Sequence, residues 1–388
     1  MSEPSKRGLG VRCRGPGNRT RCPQEEIMKG LVLFSDGSYA LKEMPEPELG
    51  RNVYAPHDVL IEVAYCGICG SDVHKWKDSD KKGVSSPTSA VVTGHEIVGT
   101  VKAVGREVTD VKVGDRVVCE LVTFYCGRCI NCQTGRINIC CNMPSMQQRA
   151  HYVTGGGYAR NTVWPAKHVH VLPPGISLEE GTLIEPTAGS VHSVIERMKV
   201  QAGESVIILG PGARGLILLQ IAKACGASPV VITGLSRDER TRLALARQLG
   251  ADAVINVEKV DLVNRVKELT GGIGFDVVIE NTGAASAVEQ SLDIARNGGR
   301  ILISGGGIRG GIMAQLDTRK IIVKELELYG EISHVWTSWK TAIKLVAEGK
   351  VQVKPLLSHV YPLEKWEEAF DLAATSPDAL RVAINPRI

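Results

Sequence analysis

The run Val206-Ile207-Ile208-Leu209-Gly210-Pro211-Gly212-Ala213-Arg214-Gly215 decides how the chain is read. Its apolar residues form a short buried strand, a GxGxxG turn follows, and the apolar stretch from Gly215 to Cys225 continues as a helix. The first glycine permits the tight turn, the second lets backbone approach a pyrophosphate, and the third lets the helix pack closely. Alone, such a turn is weak evidence. Here further buried-strand runs follow at Val230-Val231-Ile232, Ala253-Val254-Ile255, Phe275 to Ile279 and Arg300 to Ile303, separated by helical stretches such as Glu239 to Leu249. Strand and helix in alternation predict a doubly wound parallel sheet that binds a dinucleotide.

The end of the second strand of such a sheet reads the adenosine ribose, and an acid there favours NAD. This chain has Gly234, followed by Leu235, Ser236 and Arg237. The missing carboxylate and the nearby guanidinium tip the balance slightly toward NADP, although a longer loop would bring Asp238 back toward the ribose. Arg214 reads either as positive charge near the phosphates or as a solvated first-turn residue. The expected coenzyme contacts are Gly210, Pro211, Gly212, Arg214, Gly215, Gly234, Ser236, Arg237, Thr282 and Gly305.

Upstream, from Met28 to about Pro173, short alternating runs broken by Gly, Pro and Asp predict an all-β unit. Downstream, from Leu328, one more strand, an amphipathic helix over Trp339 to Glu348, the segment Pro362 to Ala373 and the apolar run Arg381 to Ile384 are too little for a domain and are expected to complete the first unit. The organisation is therefore a basic tail over 1–27, a β-rich unit over 28–184 and 328–388, and the dinucleotide-binding unit over 185–327.

Four cysteines at Cys126-x2-Cys129-x2-Cys132-x7-Cys140 can close a tetrahedron around zinc, which leaves no open position and makes the site structural. Cys141, adjacent to Cys140, reads as a bystander. A second stretch, Gly67-Ile68-Cys69-Gly70-Ser71-Asp72-Val73-His74, packs a thiol, a hydroxyl, a carboxylate and an imidazole onto what reads as a loop leaving a strand. Thiolate and imidazole suit zinc, and hydroxyl and imidazole suit a proton relay. His95 and Glu96 in Gly94-His95-Glu96, and Glu185 in Leu183-Ile184-Glu185-Pro186, complete an inventory that fits a catalytic zinc with an exchangeable position. Taken singly, His95 reads more readily as a core histidine and Glu185 as a helix-entry residue, and spacing alone does not join them.

Composition narrows the classes. The 388 residues are 43% hydrophobic and 23% charged, and mean hydropathy is zero, as in a globular protein with two ordinary domains. No apolar run reaches the roughly 20 residues of a membrane span and no signal sequence opens the chain, so a cytoplasmic protein is expected. Residues 1–24 hold Lys6, Arg7, Arg12, Arg14, Arg19 and Arg21 against Glu3 alone, which exceeds the net charge of +4 and leaves the remainder slightly acidic. The basicity belongs to a tail expected to be disordered, and nucleic-acid binding by the folded body has no charge support. The tail lacks the amphipathic face of a transit peptide.

Taken in order, GICGSDVH, GHEIVGTVKAVGREV, VGDRVV, the four-cysteine lobe, LIEP and GPGARG resemble the zinc-containing medium-chain dehydrogenases, in the branch of polyol (sorbitol) and threonine dehydrogenases. The resemblance runs from Met28 to Ile388. It implies an α/β protein with a GroES-like β-rich catalytic domain and a Rossmann doubly wound parallel sheet, zinc lying in the cleft between them. It implies that Cys69, His95, Glu96 and Glu185 surround a catalytic zinc, that Ser71 and His74 carry the substrate proton to solvent, and that Asp72 orients the zinc-bound histidine. It further implies two Zn2+ per chain, NAD(H) or NADP(H), a small alcohol or ketone substrate and a homodimer or homotetramer, with no nucleic acid or membrane partner. The expected reaction is oxidation of a secondary alcohol (polyol, cyclitol, sugar or amino alcohol) to a ketone, or the reverse. Alternatives are an L-threonine 3-dehydrogenase-like enzyme, a biosynthetic ketone reductase, or a zinc-stabilised scaffold without catalysis. His151, Trp76 and His334 are candidates to line the cleft.

Overall fold

The computed structural model describes residues 27–34, 37–50, 55–79, 90–143, 155–305 and 313–388. The expected tail, apart from Ile27, and His151 lie outside the described residues. The strands are β1 Ile27–Phe34, β2 Tyr39–Pro45, β3 Asp58–Gly67, β4 Ala90–Val92, β5 Glu96–Val104, β6 Arg116–Cys119, β7 Asn161–Pro165 and β8 Val169–Val171. They continue as β9 Val206–Leu209, β10 Val230–Gly234, β11 Ala253–Asn256, β12 Phe275–Glu280, β13 Ala295–Ile303, β14 Glu327–Gly330, β15 Leu357–Pro362 and β16 Arg381–Asn385.

They form three sheets. β9 to β14 make a six-stranded sheet in the order β11-β10-β9-β12-β13-β14, all pairings parallel. The order reverses between β9 and β12, which is where ligands bind in open α/β sheets. The other two sheets are a seven-stranded one ordered β15-β16-β3-β5-β6-β8, with β7 on β3, and a three-stranded one ordered β2-β1-β4. β16 pairs antiparallel with β3, so the last apolar run does return to the first unit.

One boundary differs from expectation. Glu327–Gly330 is the sixth strand of the parallel sheet, paired with β13, so the chain leaves that sheet after Gly330 and not at Leu328. It stands at the edge of the sheet, and its residues are exposed or half-buried.

Helix Ala213–Ala224 starts directly from the glycine turn, and nine of its twelve residues are buried. A helix apolar all round is a sandwiched helix and not a surface one. It packs on β9 and β10 and against helix Ile184–Val191, which in turn packs on helix Trp336–Ala347. The resulting core joins Val98 and Val118 of the β-rich unit to Leu216, Ile279 and Trp339, and so holds the two units together. Gly210 lies at φ +106°, open to glycine at little cost, and a Cβ on Gly215 would be driven into the Gly210 carbonyl oxygen.

Candidate active site

Strand register brings the first ligands together. Gly67, at the end of β3, lies opposite Glu96, at the start of β5. Cys69, two residues beyond one strand, therefore faces His95, one residue before the other. One donor atom from each of Cys69, His95 and Glu96 falls within 4.8 Å of the others. Cys69 lies, as expected, in the link leaving β3, here only two residues long before helix Gly70–Ser79 begins.

The electrostatics ask for a cation. Glu96 is fully buried, one oxygen takes the Arg381 guanidinium and the other, Oε2, has no partner. Burial pushes the Glu96 carboxyl up to about 7, Arg381 opposes the rise, and Glu185 and Asp72 add to it while His95 opposes. Burial alone would lower His95, but Asp72, Cys69 and Glu185 outweigh it and hold the imidazole well above its ordinary value. Two buried groups thus take up or keep protons against a surplus of negative charge. A divalent cation relieves both, and thiolate, imidazole and carboxylate are the donor set zinc takes. Gly67 is required for this approach, because a Cβ there would be driven onto Glu96 Oε2.

Glu185 stands in the first turn of helix Ile184–Val191 and outside the close triad. Its carboxylate faces Nε2 of His334 at 3.8 Å. That nitrogen is buried and unpartnered, while the His334 ring packs on Trp339 with centroids 5.2 Å apart. Asp72 is buried beside His95, its Oδ1 3.9 Å from Nδ1, which leaves Nε2 for a metal. Its Oδ2 accepts the Cys69 N–H at 3.2 Å and the Tyr158 hydroxyl at 2.9 Å. Ser71 and His74 are half-buried, three residues apart on one helix face. Trp76 instead packs its ring edge-on against Phe370 and Trp366, in the core of the β-rich unit.

The expected coenzyme residues gather at the carboxyl ends of the parallel strands. Thr282 follows β12, and Glu280 accepts its backbone N–H and its hydroxyl, both at 2.6 Å. Gly305 follows β13 and donates to the Glu280 carbonyl. Gly234 ends β10, and Ser236 and Arg237 are exposed beyond it. Asp238 is not available to a ribose: it is buried, accepts the Leu235 N–H at 2.9 Å and pairs with Arg242 at 3.2 Å. Arg214 departs from both readings of it. Its guanidinium turns inward to Glu331, Ser304, Ser193 and Asn281. The cause is Glu331, a carboxylate that burial would raise and that Arg214 holds below its ordinary value.

In the cysteine lobe, Sγ–Sγ distances are 3.5 Å for Cys129–Cys132 and 4.0 Å for Cys126–Cys132 and Cys129–Cys140. A disulfide needs about 2.05 Å, whereas four sulfurs at about 2.3 Å from zinc lie roughly 3.8 Å apart. Cys140 completes the group and Cys141 is left outside it. Replacing one ligand, as in Cys129→Ser, is expected to remove one equivalent of zinc and lower the melting temperature. Undiminished metal content and an unchanged melt would count against a structural ion.

Comparison with known proteins identifies the family. Residues 55–174 match the family model described as the alcohol dehydrogenase GroES-like domain, and residues 214–348 match the zinc-binding dehydrogenase model. The chain belongs to the zinc-binding alcohol dehydrogenases. Within that family it is 40% identical over 348 residues to a D-arabitol-phosphate dehydrogenase of Enterococcus avium, covering 89% of this chain and 94% of that one. It is 35% identical over 362 residues to a sorbitol dehydrogenase of Halalkalibacterium halodurans, covering 92% and 99%. A structure described as a zinc-binding dehydrogenase of Sinorhizobium meliloti bound to NADP superposes with TM-score 0.80 at 30% identity, covering 93% of this chain and all of that one.

Membership makes the chain a nicotinamide-dependent alcohol dehydrogenase. No helix among the described residues is long and apolar enough to cross a membrane. Two site residues carry no signal in the sequence. Arg381 opens β16, whose pairing with β3 brings the guanidinium to Glu96. Tyr158 lies just past a glycine run and braces Asp72 from 86 residues away. Such partners become visible only once the strands are paired.

Proposed function

We propose that this enzyme oxidises a secondary hydroxyl of a polyol, free or phosphorylated, to a ketone, or catalyses the reverse. Cys69, His95 and the carboxylate of Glu96 or Glu185 hold one zinc, and Cys126, Cys129, Cys132 and Cys140 hold a second. The observation that carries the reading is the convergence of Cys69, His95 and Glu96 around an unpartnered carboxylate oxygen, next to Ser71 and His74. Bound at that place, zinc supplies the Lewis acidity that lets an alcohol ionise near neutral pH.

The chain's own groups do the rest. Ser71 accepts the substrate proton and His74, one turn further along the helix, passes it to solvent. Asp72, braced by Tyr158, sets the ring of His95. Arg381 keeps Glu96 in place, and His334 offers a buried Nε2 to a substrate hydroxyl beside Glu185. Among the described residues no strand covers the outer edge of β14, which suits pairing with a second copy, in keeping with a homodimer or homotetramer. Sorbitol, D-arabitol, D-arabitol phosphate and L-threonine, each offered with NAD and NADP and followed by nicotinamide absorbance, test the reading. Polyol turnover with a ketone product is expected. Turnover of L-threonine alone would overturn it.

For the coenzyme we infer a preference for NADP(H). The end of β10 carries Gly234, Asp238 is committed to Arg242, and Arg237 is exposed. Against these stands Glu258, whose carboxylate takes the Ser236 N–H at 2.7 Å near Arg237. Arg237→Ala should weaken NADPH binding about tenfold, one lost charge-assisted contact, while NADH binding holds. Equal effects on the two dissociation constants would remove Arg237 from the argument.

A further inference from the structure

A cavity of about 270 Å³ lies where the cysteine lobe meets the end of β14. Arg136 and Asn138 line it from the lobe, His192 and Arg197 from the helical run that follows Glu185, and Glu331 and Ile332 from the segment after β14. Asn138 holds the two sides together, its Nδ2 donating to the Ile332 carbonyl at 2.8 Å. Arg197 donates to the Gly330 carbonyl at 3.1 Å and lies over the Tyr329 ring. The negative charge of Glu331 is met from within by Arg214, and His192 is paired with Glu196. Among the described residues neither Arg136 nor Arg197 has a carboxylate partner, so the cavity keeps two uncompensated guanidiniums.

Two guanidiniums flanked by an imidazole and an amide are the chemistry that recognises a phosphate monoester. The cavity adjoins the elements that carry Glu185 and His334. His192 is seven residues, or roughly 10 Å, along the helix from Glu185, and Ile332 is two residues from His334, which faces Glu185. It is not the place for a coenzyme 2′-phosphate. Ser236 and Arg237 follow β10, four strand spacings from β14, which is roughly 19 Å across the sheet.

We propose that this cavity binds the phosphate of a phosphorylated polyol whose secondary hydroxyl reaches the Cys69–His95–Glu96 site. The proposal rests on the polyol reading above and names its substrate class. It predicts that the wild-type enzyme has a higher kcat/KM for D-arabitol phosphate than for D-arabitol. Arg136→Ala, on the exposed side of the lobe, should lower that ratio about tenfold to a hundredfold, mainly through KM for the ester. Arg197→Gln should act in the same direction. A wild-type ratio near one, or an unchanged ratio in both variants, would overturn the proposal.

Calorimetric titration with inorganic phosphate separates the cavity from the substrate reading. If neither polyol nor ester is turned over, the substrate reading fails, and the cavity is judged on phosphate alone. Phosphate binding weakened by Arg136→Ala supports an anion site there. Its absence, or its persistence unchanged in both arginine variants, refutes it.

Discussion

Replacing His95 by alanine is expected to reduce kcat by roughly three orders of magnitude, because a Lewis-acid metal supplies several kcal/mol of transition-state stabilisation. His95 cannot be replaced by a neighbour: Cys69 and Glu96 are the other two members of the close group, and Glu185 is further off. The coenzyme, held by the turn from Gly210 to Gly215, should bind as before, so tryptophan quenching by NADPH should be unchanged. Loss of both activities would point to a folding defect. Retention of turnover would mean that the three donors do not form the catalytic centre.

The second large effect concerns stability. Arg381 is the one guanidinium that pairs with the buried Glu96 carboxylate among the described residues, and it also donates to the Ile68 carbonyl at 3.2 Å. Breaking a buried pair by removing one partner leaves an uncompensated charge and costs about 3–5 kcal/mol. Arg381→Met should therefore shift the denaturant midpoint strongly downward. The double variant Arg381→Met with Glu96→Gln should recover part of the loss, since the remaining group is no longer charged. A single variant as stable as the wild type would show that metal binding or proton uptake compensates Glu96 without Arg381.

Both effects turn on residues that differ in how well they can be read from the sequence. Cys69, His95 and Glu96 sit in short motifs at the ends of two strands, and antiparallel register does the rest. Arg381 stands 285 residues from Glu96 and belongs to no motif, so only the pairing of β16 with β3 reveals it. Arg214 shows the converse error. Its place in the glycine turn suggests the phosphates, but the group that decides its direction is Glu331, 117 residues further on. The parallel sheet is legible because its inner strands are buried on both faces and read as apolar runs. Its edge strand β14 lacks that signal, because its four residues are exposed or half-buried.

Ser71 and His74 are legible because they stand beside Cys69 in one short run, whereas the helix that sets them on one face is not, since the run reads as a loop. Tyr158 is not legible: only the buried carboxylate to which it donates reveals it. His334 reads as a cleft candidate, but its place beside Glu185 comes only from the folded chain.

The central claim is that Cys69, His95 and a carboxylate hold a zinc separate from that of the cysteine lobe. The most direct measurement is the metal content of the purified wild-type protein and of Cys69→Ser, by elemental analysis after exhaustive dialysis. The account predicts two equivalents of zinc per chain in the wild type and one in the variant, with the lobe and the fold intact. A single equivalent in the wild type, or two equivalents retained in the variant, would contradict it.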